Sequence, residues 1–201
     1  MPNIINLSAL IALSDNDSDF AFNIIEKHYV HLSYCNGEKL IELALNGTKS
    51  IKKMKFIYSK TDDTPSLNRI YLEQLIKFED MAGAHKFVKK QINNSNVDSQ
   101  ILYIYINAFN VEIAKLFSKV CDKSNKNYDS VLALLELAMM KSDDYLFKMI
   151  YAYIESNIVK NLSLIESDKY HHVLCRFYIK NGNLSGLDLS ETRLIYHSSE
   201  A

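Results

Sequence analysis

Hydrophobic and polar positions follow a recurring unit along this chain. A short, almost wholly apolar run is followed by a tight polar turn, an amphipathic segment and a polar connector. In the clearest unit, residues 130–156, apolar positions recur every three or four residues, which is the spacing of one buried helical face. These positions are Val131, Leu134, Leu135 and Ala138, then Leu146, Met149, Ile150, Tyr153 and Ile154. The pattern predicts a helical hairpin.

Four similar units precede this one, beginning with a first helix at residues 4–13. Each predicted second helix starts at a polar side chain that can accept a hydrogen bond from the free backbone N–H groups of the first turn. These starts are Ser18, Thr48, Asp80, Asn110 and Ser142, at steps of 30, 32, 30 and 32 residues. The sequence therefore predicts an all-α domain over residues 1–182, built as an α-solenoid of about five helix-turn-helix repeats.

The end of the chain departs from this period. A helix from about Asp168 to Lys180 is predicted to stop at Asn181-Gly182, since glycine readily adopts the left-handed conformation that ends helices. The following stretch, NLSGLDLSETRL, resembles two pentapeptide repeats. Residues 183–201 are interpreted as a C-terminal cap or tail, or as the start of a further region.

The segment LLELAMMKSDDYLFKMIYAYIE, from Leu134 to Glu155, resembles the ankyrin-repeat core LHLAAxxGxxxxVxxLL. The resemblance covers about residues 4–160 and implies a protein-binding array of stacked hairpins. The ankyrin Gly-Ala-Asp finger motif is absent, so the resemblance implies fingers reduced to loops. Tetratricopeptide repeats and a non-repetitive helical bundle remain alternatives for the same periodicity.

Composition narrows the class of protein. An apolar fraction of 48% with 23% charged residues is typical of a folded chain, and a net charge of -1 gives no global attraction to nucleic acid or anionic membranes. Charged residues interrupt every apolar run, so no transmembrane segment is predicted. Three widely separated cysteines favour a reducing compartment. We expect a cytoplasmic protein, or one secreted into a host cytosol without a cleavable signal peptide.

Candidate catalytic or metal-binding residues are few. His28, His31 and Cys35 have the spacing of one helical face and could bind zinc, although an ordinary helix end is the simpler interpretation. Cys175 with His172, or Cys121 with His85, could form a nucleophile pair only through tertiary contact. No cofactor, metal or catalytic residue is predicted, and an enzyme with a dispersed site stays open.

Partner contacts are predicted at two sets of residues. Lysines on two successive second helices could merge into a basic ridge that contacts acidic proteins or anionic lipid headgroups, although a solvated outer face is the simpler interpretation. Two tyrosines lie off the apolar stripe and could anchor an interface, or could be partly buried with the hydroxyl reaching solvent. The residues are Lys49, Lys52, Lys53, Lys86, Lys89, Lys90, Tyr145 and Tyr151. Exposed aromatics interleaved with arginine, as at nucleic-acid sites, are missing from the pattern.

The preferred functional hypothesis is a protein-protein interaction scaffold. A chain rich in Lys, Asn and Ile with ankyrin-like repeats resembles effectors of intracellular bacteria that bind host proteins. Two alternatives come from other classes: a small helical enzyme or toxin with a dispersed site, and a regulatory or inhibitory subunit for one cognate protein.

Overall fold

The computed structural model describes residues 18–32, 37–61, 64–94, 97–121 and 128–183. Within these ranges the chain forms ten α-helices, one 3-10 turn at Val159–Asn161 and no strand, so the predicted all-α class is confirmed. The helices are α1 (Ser18–Leu32), α2 (Gly37–Gly47), α3 (Ile51–Tyr58), α4 (Pro65–Lys77), α5 (Met81–Asn93), α6 (Ser99–Phe109), α7 (Ile113–Val120), α8 (Tyr128–Met140), α9 (Asp144–Asn157) and α10 (Leu164–Lys180). The helix predicted at residues 4–13 and the pentapeptide-like stretch beyond residue 183 lie outside the described ranges.

The helix starts keep a spacing close to the predicted steps of 30, 32, 30 and 32 residues. Helices α1, α3, α5, α7 and α9 begin at residues 18, 51, 81, 113 and 144, so that successive starts are 33, 30, 32 and 31 residues apart. The helix predicted from about residue 168 begins earlier, at Leu164, where Ser163 and Glu166 form a reciprocal capping box. A continuous ankyrin-like solenoid stays a prediction.

Three of the predicted second-helix caps are wrong by one or two residues. Asp80 accepts a hydrogen bond from the Gly83 N–H at the start of α5, as predicted. The α3 cap is Ser50 rather than Thr48. Asn110 lies at the end of α6, and the residue that precedes α7 is Glu112. The cap of α9 is Asp143 rather than Ser142, and its side chain accepts a hydrogen bond from the Leu146 N–H.

A left-handed residue in the inter-helix turn explains two of these shifts. Asn110 and Ser142 have φ of 47° and 57°, and Glu79, in the equivalent turn between α4 and α5, has φ of 57°. A residue in this conformation turns the chain out of the first helix, so the N-cap of the next helix follows it. The same turn closes α10 at Gly182, with φ of 64°, as the sequence predicts.

The chain divides into two compact units, Met1–Lys89 and Lys90–Ala201, with the boundary inside α5. In the first unit α2 packs beside α4. Thr64 and Ser66 donate hydrogen bonds to Glu38 and Glu42, and Gln74 donates to Asn46. From one hydrogen bond to the next the residue numbers increase along both helices, so the two helices are parallel. A core including Leu40, Met54, Leu72 and Leu75, all fully buried, holds this unit together.

The second unit is built around α8, which packs against α6, α9 and α10. Leu134 and Leu135 of α8 are fully buried, and Tyr170 of α10 is buried with its hydroxyl donating to Glu155 at 2.7 Å. The prediction that α9 buries a single stripe of residues is wrong at Met149, because α9 also packs against α10. Met149 is 37% exposed, whereas Phe147 is buried and its ring stacks on Phe177 with centroids 3.8 Å apart.

Candidate functional site

A groove with a volume of about 380 Å³ lies where α8 and α10 end beside each other. Its lining is Met139, Met140, Arg176, Ile179 and Lys180. Asp129 pairs with Lys169 and Glu136 with Arg176, so α8 and α10 run in parallel and their C-terminal ends come together. Met140 is 65% exposed and Ile179 is 64% exposed. The groove therefore presents apolar side chains to solvent.

Lys180 fixes one wall of the groove. Its Nζ donates hydrogen bonds to the Met139 carbonyl and to the Ser142 Oγ, both at 2.8 Å. A cation beside the C-terminal carbonyls of α8 also interacts favourably with the negative end of the helix dipole. The left-handed Ser142 places its hydroxyl within reach of this ammonium group. Lys180 thus ties the end of α10 to the turn after α8.

Both charged residues that line the groove are cations. The Arg176 Nη1 lies 2.5 Å from Glu136 Oε1, so this guanidinium is paired. Lys180 contacts two neutral oxygens and forms no ion pair within the part of the chain that the structure describes. The nearby acids Asp143 and Asp144 start α9 and do not line the groove. The lining is therefore apolar with a positive rim.

The groove lies in the unit that exposes most of the large apolar side chains. Nine such side chains are exposed in the described ranges, and six belong to the second unit: Met140, Tyr145, Met149, Leu164, Ile165 and Ile179. Of these six, Met140 and Ile179 line the groove together, and contiguous exposed apolar surface is typical of an interaction site. Methionine and arginine are also enriched at protein interfaces.

The two predicted interface tyrosines differ in position. Tyr145 is 76% exposed and follows directly on the turn that Lys180 contacts. Tyr151 is half-buried, and its ring stacks on Tyr170 with centroids 6.5 Å apart. Tyr145 is therefore available to a partner, whereas Tyr151 contributes to the packing of α9 on α10.

The predicted lysines are on α5, on α3 and just before α3. Lys53 is pinned by Asp19 at 3.4 Å and lies over the Phe22 ring, with 4.7 Å from its Nζ to the centroid. The other five, Lys49, Lys52, Lys86, Lys89 and Lys90, are exposed and form no ion pair with a described residue.

The predicted lysines of α3 and those of α5 lie at different positions along the direction of the helices. Lys55 pairs with Asp80 at 2.6 Å, and Tyr58 meets Phe87, so α3 and α5 run in the same direction. These two contacts displace Lys52 from Lys86 by about 8 to 14 Å along that direction, at 1.5 Å per residue. Screening by salt weakens joint action over such a distance, and a single basic ridge stays a prediction.

In the described part of the chain no group of three or more His, Cys, Asp or Glu could hold a metal ion. The apolar spacing of α1 places His28 at a core-facing position, but its side chain is exposed. His31 and Cys35 have no described side chain. Burial raises the pKa of Cys121 to about 12, so this thiol is protonated and unreactive at neutral pH.

The groove itself does not follow from the sequence pattern. The apolar periodicity places Met139 and Met140 at the end of one helix and Ile179 at the end of another, without relating the two. One signal is present, because Ile179 lies one heptad after His172 and two after Ile165, on a face that excludes the buried positions of α10. What brings α8 and α10 together is tertiary packing, which the local pattern does not encode.

Comparisons with protein families, with curated proteins and with solved structures find no match to this chain. No helix among the described residues is long and apolar enough to cross a membrane.

Proposed function

We propose that this chain is a protein-protein interaction scaffold whose main binding surface lies on the second unit. The observation that carries the proposal is the open apolar groove at the ends of α8 and α10, with Met140 and Ile179 exposed in its lining. Exposing such apolar side chains to water is unfavourable for an isolated protein, and a partner that covers them gains the transfer free energy of the apolar surface.

The lining of the groove favours binding over catalysis. Its five lining residues include no histidine, cysteine or carboxylate, which are the groups that most often act as general bases or nucleophiles. Arg176, which pairs with Glu136, and Lys180, which donates to neutral oxygens, are suited to binding the surface of another protein. The dispersed-enzyme alternative has no comparable constellation to support it within the described residues.

Affinity co-purification tests this proposal. The tagged full chain is incubated with lysates of bacterial and of cultured animal cells, and bound proteins are quantified by mass spectrometry. The double variant Met140→Glu with Ile179→Glu is run alongside, together with the control Met81→Glu, whose exposed methionine lies in the first unit. All three sites are exposed enough for the variants to fold, which far-UV circular dichroism checks.

We expect partners that the control retains and that the groove variant loses at least tenfold. Enrichment from the animal lysate would support the host-binding hypothesis, and one dominant partner would favour a regulatory subunit over a scaffold with several. Recovery of the same proteins by all three baits, or of none by the native chain, would contradict the proposal.

A further inference from the structure

The lining of the groove also indicates what kind of partner segment it takes. We infer that it binds an acidic amphipathic segment of a partner protein, in which aliphatic side chains pack between Met140 and Ile179 and a carboxylate meets Lys180. This inference rests on the proposed function and adds the chemistry of the partner.

Lys180 supplies the positive charge and the N–H donor that would meet a carboxylate of the partner. An ammonium group has three N–H donors, and two of them are used by the Met139 carbonyl and the Ser142 hydroxyl. Because the three donors are arranged tetrahedrally about the nitrogen, the third is directed away from these two oxygens. Both partners are neutral, so among the described residues no carboxylate neutralises the positive charge, and an arriving anion can pair with it. Held by two hydrogen bonds, the lysine has also lost much of its side-chain freedom before binding, which reduces the entropy cost of association.

Arg176 adds to the same preference. Its pairing with Glu136 uses one nitrogen, and a guanidinium has five N–H donors. The arginine side chain is 46% exposed, so its remaining donors can reach a second acceptor. A basic partner segment would place like charge against Lys180, which has no carboxylate partner among the described residues, and this is unfavourable. The groove thus discriminates by charge in favour of carboxylates.

The apolar part of the groove fits side chains presented by a folded partner. Met140 and Ile179 are both about two-thirds exposed, so the groove is open along its length. Pockets for small lipophilic ligands enclose most of the ligand surface, because an exposed acyl chain gains little from binding. Aliphatic side chains on an amphipathic helix remain covered on their other side by their own helix. This contrast selects a protein segment over a free fatty acid.

A displayed random peptide library tests the inference on the full chain. Peptides are selected against the native protein and against the double variant Met140→Glu with Ile179→Glu, and those lost with the variant define the groove-dependent set. We expect this set to be enriched in Asp and Glu together with Leu, Ile and Met.

The affinity of selected peptides for three further variants then isolates the lysine. Lys180→Met should weaken binding about tenfold or more, because one charged hydrogen bond is lost. Lys180→Arg should retain most of the affinity. Lys148→Met, an exposed lysine of α9 that does not line the groove, is the matched control and should change nothing.

Several results would overturn the inference. Groove-dependent peptides with basic or uncharged composition would show that the partner is not acidic, and equal affinity of Lys180→Met and native protein would remove the role of the lysine. Displacement of the peptides by micromolar oleate would identify a lipid site instead. If no groove-dependent peptides appear while co-purified partners still depend on Met140 and Ile179, the acidic segment alone fails. If the partners fail as well, the proposed function fails.

Discussion

Replacing Gly83 by alanine should destabilise the first unit, although alanine is the better helix former. A Cβ at position 83 would lie 2.3 Å from Asp80 Oδ2 and 2.7 Å from its Cγ. The carboxylate must therefore turn away. It would then lose the 3.0 Å hydrogen bond from the Gly83 N–H and its 2.6 Å contact with Lys55.

The size of the effect follows from these two losses. An N-cap is worth about 1 kcal/mol, and a partly exposed ion pair such as this one adds about 0.5 kcal/mol after solvent screening. Alanine recovers about 0.5 to 1 kcal/mol of helix propensity. The net expectation is a destabilisation of about 0.5 to 1 kcal/mol, reported by the midpoint of urea unfolding at constant m value.

The same substitution should have the opposite sign once the carboxylate is gone. In an Asp80→Ala background there is no cap or ion pair to break, so Gly83→Ala should stabilise by about 0.5 to 1 kcal/mol. The double-mutant cycle then yields a coupling of about 1.5 kcal/mol between the two sites. A Gly83→Ala substitution that stabilises the native chain as much as the Asp80→Ala chain would show that the Cβ does not displace the carboxylate.

Three smaller predictions concern the same unit and the half-buried thiol of Cys121. Glu79→Gly should raise stability by about 0.5 to 1 kcal/mol, because Glu79 has a φ of 57° that glycine adopts without strain; Glu79→Ala should bring no such gain in urea unfolding. The Lys55 hydrogen bond and the Gly83 N–H hold the pKa of Asp80 below its ordinary value, so its stabilisation is present at neutral pH and is lost as the pH falls through that lowered pKa. Asp80→Asn should therefore flatten the loss of stability below about pH 5, and an unchanged acid profile would be contrary to this assignment. Cys121 should be alkylated by iodoacetamide at pH 8 about a thousandfold more slowly in the native chain than in urea, because its pKa is about 12; mass spectrometry of the labelled peptides would show equal rates if the thiol were exposed.

The fold class could be predicted because helical periodicity is a local property. The pattern predicts buried faces that include Ala84, Val88 and Ile92 of α5 and Leu116, Phe117 and Val120 of α7, and all six are buried. Each of these positions follows from the 3.6-residue repeat alone. The caps are harder to predict. Asn110 and Ser142 suit an N-cap and a left-handed turn equally well, and the choice depends on how the preceding helix ends.

The candidate site could not be predicted because it depends on contacts between helices distant in sequence. Ion pairs join residues 129 to 169 and 136 to 176, and these contacts place Ile179 and Lys180 beside the end of α8. The sequence points to the predicted lysines because several of them occur on two neighbouring second helices. Nothing in the sequence pattern distinguishes Lys180, which is identified only by its hydrogen bonds to Met139 and Ser142. Tyr145 could be predicted because it lies outside the apolar stripe of α9, and it is exposed.

Site-specific photo-crosslinking asks whether the second unit carries the binding surface. Benzoylphenylalanine is placed at Met140 in one protein and at Phe20 in a second, since Phe20 is an exposed apolar residue of the first unit, 38% accessible. After irradiation in lysate, adducts are separated by mass and identified by mass spectrometry. We expect discrete protein adducts from position 140 that are absent from position 20. Adducts from position 20 alone, or an identical diffuse pattern from both, would contradict a binding surface on the second unit.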